Sequence, residues 1–131
     1  MSRTPHPYLG GHLVIVIDCA DLDRSAEFWA STLGYVRDGP PGGRYQGLVP
    51  AEGLGIEILL QQVPEGKRGK NRLHLDLRTA TLPAEVERVV GLGARRLTST
   101  PATEWDWRGH ILADPDGNEF CILQPHRSLI D

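Results

Sequence analysis

The sequence predicts an α+β fold built from two tandem βαβββ modules. Three observations carry this. Leu13-Val-Ile-Val-Ile-Asp18 reads as a buried strand and Leu73-His-Leu-Asp-Leu-Arg78 as an alternating one, starting sixty residues apart. Apolar residues at helical spacing follow each run. Glycines stand where both helices end, at Gly34 and Gly93. A period of this size marks an internal repeat.

The elements follow in order. After the first strand, Asp21 caps a helix whose stripe is Leu22, Ala26, Trp29, Ala30 and Leu33. After the second, Thr81 is the expected cap, and Leu82, Val86, Val89 and Val90 form the stripe. Short strands come next to the glycines, at Tyr35-Val36 and at 94–97. Further strands are expected at 44–49 and 107–113, and last ones at 56–62 and 119–124. Both last strands run towards a proline, Pro64 and Pro125. Asp114-Pro-Asp-Gly-Asn118 is a turn, because proline fixes φ and Asp-Gly tolerates positive φ. Asp38-Gly-Pro-Pro-Gly-Gly43 makes a long turn in the first copy. The modules span about 11–65 and 70–125, with short tails. Each helix covers one sheet face, so the other face is either covered or left to hold a ligand.

At 131 residues the chain is expected to form one domain, 1–131, with 15 Gly and 10 Pro serving many turns. A net charge of −3 argues against nucleic acid as a partner. The basic cluster Lys67-Arg68-Gly69-Lys70-Asn71-Arg72 reads as a solvated loop. No apolar run is long enough for a bilayer, so no membrane association is expected. The first residues lack the apolar stretch of a signal peptide, which makes the cytoplasm the expected compartment. Cys19 and Cys121 fit neither a zinc spacing nor a disulfide framework and read as free thiols.

The paired modules resemble the vicinal oxygen chelate superfamily, which includes glyoxalase I, extradiol dioxygenases, fosfomycin-resistance enzymes and bleomycin-binding proteins. Within it the chain is most similar to the glyoxalase-like domain group. The stretches that carry the likeness are Val16-Ile-Asp-Cys-Ala-Asp21 with Phe28-Trp29, Gly69-Lys-Asn-Arg-Leu-His-Leu-Asp-Leu77, and Leu112-Ala-Asp-Pro-Asp-Gly-Asn-Glu-Phe-Cys121. The resemblance implies a curved mixed sheet around a cleft, with the helices outside. It also implies four metal-ligand positions, on the first and last strand of each module. Three of them fall on Val14, His74 and Cys121. The fourth is Leu60 if the prolines are matched, or Glu57 if the strand is shifted. Valine is no ligand and cysteine is a soft one, so no cofactor and no metal of the glyoxalase type are expected. His74 is the one retained ligand-type residue.

Strand alternation names the cleft face. Val14, Val16 and Asp18 share it on the first strand, with Leu13, Ile15 and Ile17 towards the helix. His74, Asp76 and Arg78 share it on the second, with Leu73, Leu75 and Leu77 behind. Glu119, Cys121 and Leu123 share a face of the last strand. His74 is either a hydrogen-bonded structural histidine or an acid–base group supported by Asp76, whose charge orients the ring. Asp18 reads first as a structural partner of Arg78 or Arg72. Glu119 caps the hairpin or faces solvent, and Trp29 belongs to the core. Trp105 and Trp107 share a side of their strand and suit a planar ligand.

The reading is therefore catalytic His74 and Asp76, with Trp107, Trp105, Cys121, Asp18 and Glu57 as binding residues. The expected function is a glyoxalase-like protein that binds or transforms a small organic compound without the usual metal. Alternatives are a metal-dependent lyase, isomerase or dioxygenase, and a sequestering protein of the bleomycin-resistance kind. A homodimer is the default assembly.

Overall fold

The computed structural model describes residues 13–40, 42–52, 55–104 and 106–125. Its elements are β1 (Val14–Cys19), α1 (Leu22–Leu33), β2 (Tyr35–Asp38), β3 (Tyr45–Pro50), β4 (Glu57–Gln62), β5 (Leu75–Arg78), α2 (Leu82–Gly91), β6 (Arg95–Arg96), β7 (Ala102–Glu104), β8 (Trp107–Ala113) and β9 (Glu119–Pro125). The predicted α+β class and the tandem βαβββ plan both hold. The strands form two mixed sheets, ordered β1-β4-β3-β2 and β5-β9-β8-β6. In each, the last strand lies parallel beside the first, β4 on β1 and β9 on β5. The second copy carries one more strand than expected, β7, paired antiparallel with β8.

The first helix starts and stops as its sequence dictates. Asp21 takes an extended conformation and its side chain accepts a hydrogen bond from the Arg24 N–H. Gly34, at φ +71°, ends the helix and donates its N–H to the Ala30 carbonyl. The second helix corrects one expectation. Thr81 makes no side-chain cap. Gln124 of β9 does that work instead, accepting from the Leu82 N–H at 2.7 Å. A tertiary contact has replaced the local one.

A single apolar cluster draws on both modules. Ile17, Leu48, Ile58 and Leu60 meet Phe28 and Trp29, which meet Phe120, Ile122, Leu112, Val86 and Val89. The Trp29 ring packs edge-on against Phe28 and Phe120, with centroids 5.1 Å apart in each case. Each large side chain so buried is worth about 1.5–3 kcal/mol.

Polar contacts close the seam. The Trp29 indole donates to the buried Asp114 at 3.0 Å. Asp116 accepts from the Ala20 N–H and from Arg24, and Asn118 donates to the Asp18 carbonyl. Arg88 of α2 donates to the Ser31 and Thr32 carbonyls at the end of α1, satisfying acceptors that a helix C-terminus leaves bare. Among the described residues, no helix is long and apolar enough to cross a membrane.

Two leucines depart from the reading. Leu13 and Leu73 were expected towards the helices, yet Leu73 is 89% exposed and Leu13 63%. The second strand begins only at Leu75. Glu119 explains the delay: its carboxylate accepts the Asn71 N–H at 2.9 Å, and its carbonyl accepts the Asn71 amide. Residues 71–74 are therefore tied to β9 as a loop.

Candidate functional site

Alternation divides every strand into a core face and an open face. Ile17 and Cys19 of β1, Ile58 and Leu60 of β4, and Phe120 and Ile122 of β9 are buried. The residues between them face the other way: Val14, Val16 and Asp18, then Glu57, Leu59 and Gln61, then Glu119, Cys121 and Leu123. Leu60 and Glu57 fall on opposite faces of β4. Leu60 is a fully buried core residue, whereas Glu57 stands directly beside Val14 in the β1–β4 register.

The open face of the second module gathers four predicted site residues. His74, Asp76, Cys121 and Trp107 line one cavity of about 350 Å³. Asp76 and Cys121 are register neighbours on β5 and β9. His74 Nε2 lies 3.3 Å from Asp76 Oδ1, with both side chains nearly half exposed. So exposed a pair contributes little stability. Burial pushes the Cys121 thiol up from its ordinary value. The Asp76 charge and a hydrogen bond to Asp76 push it further. Asp76 thus holds a neutral thiol on one side and the imidazole on the other.

Arg78, two residues beyond Asp76 on the same face, sits with its guanidinium carbon 4.6 Å from the Trp107 ring centroid. The expected pairing of Asp18 with Arg78 or Arg72 is therefore not made among the described residues. Ile111, Leu123 and Ala102 supply the apolar part of the lining. Gly109 matters here, because a Cβ on it would fall 2.2 Å from the Leu123 side chain. Arg78 and this small-residue contact were not singled out from the sequence as site features. The signal for Arg78 was present, since it lies four residues along the alternating face from His74.

The remaining candidates are placed apart. Asp18 lines a second cavity, of about 680 Å³, that runs along β1 and the approach to β5; His74 lines it as well. Glu57 is half-buried on β4, outside both cavities. Trp105 lies outside the described residues. Glu119 is an anchor for the loop before β5. Its carboxyl is held below the usual range, chiefly by the Asn71 N–H and then by Lys70 and Lys67.

His110 is the structural histidine of this region. It is buried on β8, opposite Ile122 and at the margin of the same cavity, with Nδ1 2.9 Å from the Thr98 hydroxyl. Burial, and next the Arg96 charge, hold its pKa below the ordinary value.

The sequence model of the glyoxalase-like domain matches residues 14–123. The chain belongs to the glyoxalase-like domain family. No curated protein matches it significantly. Solved structures are similar over nearly the whole chain. The fosfomycin resistance protein FosX from Listeria monocytogenes is 16% identical, covers 91% of this chain and 94% of its own, and superposes with a TM-score of 0.70. A glyoxalase/bleomycin resistance protein/dioxygenase family enzyme from Burkholderia phytofirmans PsJN is 17% identical over 86% and 96%, with a TM-score of 0.70. TnmS3, an antibiotic binding protein from Streptomyces sp. CB03234, is 26% identical over 92% and 99%, with a TM-score of 0.65.

The donors present do not fit the divalent site that the superfamily resemblance implies. That site draws ligands from both modules. Here the first module offers Val14, which has no donor, beside Glu57. Among the described residues, the donors that do converge, those of His74, Asp76 and Cys121, lie within 4.8 Å of one another but all belong to the second module. One of the three is a soft thiol.

Proposed function

We propose that this glyoxalase-like domain binds a small organic molecule on the open face of its second module, without a divalent ion of the glyoxalase type. One observation carries the reading: His74, Asp76, Cys121 and Trp107, from three different strands and a loop, meet in one cavity. A planar indole wall, an apolar flank and a few convergent polar groups are what a small-molecule site needs. The likeness to an antibiotic binding protein supports binding without turnover. The 3.3 Å His74–Asp76 pair favours a second reading, lyase or isomerase chemistry. In it, Asp76 orients the ring and His74 moves a proton next to a carbonyl.

A panel of small aromatic and aliphatic compounds, titrated by tryptophan fluorescence, tests both readings. Binders found with the native chain lose about tenfold or more in affinity in Trp107→Ala. Any turnover of a binder disappears in His74→Ala. A set of binders indifferent to Trp107→Ala and His74→Ala overturns the proposal.

A further inference from the structure

We infer that the ligand of this cavity carries a carboxylate, which Arg78 receives; the inference rests on the binding site proposed above. Arg78 is the argument. Its guanidinium lies over the Trp107 ring, so its position is set by an aromatic face. Among the described residues, no carboxylate and no carbonyl takes its N–H groups. Three arginines elsewhere are occupied: Arg24 by Asp116, Arg37 by Asp23, and Arg88 by Glu85 and two carbonyls; what sets Arg78 apart is its stacking on Trp107 within the cavity. Arg78 is thus a planar fork, held from beneath and open at its edge. That geometry matches a carboxylate bidentately.

The neighbouring acid does not compete for it. Asp76 is engaged by His74 at 3.3 Å, and Cys121 is its register neighbour on β9. Beyond the fork the lining turns apolar, at Ile111, Leu123 and Ala102. The implied ligand is a small organic acid with its charged end on Arg78 and its body against Trp107 and Leu123.

Matched pairs of probes test this: benzoate against benzamide, and hexanoate against hexanamide. Affinities are measured by isothermal titration on the native chain and on Arg78→Gln, Arg78→Lys and Arg95→Gln. Each acid is expected to bind the native chain about tenfold tighter than its amide, the size of one charge-assisted contact. Arg78→Gln erases that preference, Arg78→Lys keeps part of it, and Arg95→Gln leaves it intact. Equal binding of acid and amide, or a preference that survives Arg78→Gln, overturns the inference. Binding of no acid at millimolar concentration overturns it too. Acids and amides that bind equally well, both still dependent on Trp107, sink the carboxylate while leaving the cavity proposal standing.

Discussion

The indole N–H of Trp29 donates to the carboxylate of Asp114 at 3.0 Å, joining the first module's helix to the last hairpin of the second. Both groups are almost wholly buried. Asp114 also accepts the N–H groups of Asp116 and Asn118 and the Asn118 side-chain amide. Its burial raises its pKa, and these hydrogen bonds oppose the rise. One side chain therefore shapes the turn and anchors the seam.

Asp114→Ala is expected to destabilise the chain by about 2–4 kcal/mol. It leaves the Trp29 N–H buried without an acceptor and frees the turn. Chemical denaturation measures the loss. A change below about 0.5 kcal/mol contradicts the role given to Asp114.

Protonation of His110 works against the fold. Its folded pKa lies below the ordinary value of 6.5 because it is buried and faces Arg96. The unfolded chain takes up a proton below that pH while the folded chain does not. Stability from this residue is therefore full above about 6.5 and is lost as pH falls through the folded value. His110→Gln flattens that acid-side slope of unfolding free energy against pH. An unchanged slope refutes the assignment.

Most of the fold was legible because hydrophobic period and capping chemistry agree: β1, α1 and Gly34 follow from local rules alone. What was missed depends on contacts across the chain. Thr81 looks like a cap, but Gln124 reaches it from β9 first. Leu73 alternates like a strand residue, but Glu119 holds the preceding loop off the sheet. The same limit applies at the site. Alternation placed His74, Asp76 and Arg78 on one face, and the structure brings Trp107 and Cys121 to them. Whether Arg78 would meet Asp18 or Trp107 depends on how two separate sheets sit, which no local pattern encodes.

Cys121 is expected to alkylate slowly. Its thiol is held protonated by burial and by Asp76, and the thiolate is the reactive form. Asp76→Asn removes the charge and speeds modification by iodoacetamide at pH 8, followed by mass spectrometry. Cys19, buried in the core, stays unmodified in the folded chain. Slower or unchanged labelling of Cys121 in Asp76→Asn contradicts the contact as described.

Backbone amide mapping of compound binding in chelator-treated protein tests metal-free recognition on the second module most directly. The proposal predicts shifts concentrated at residues 74–78, 107–111 and 121–123, the same with and without added zinc or manganese. Shifts that appear only once a divalent ion is restored, or that cluster away from these strands, contradict it.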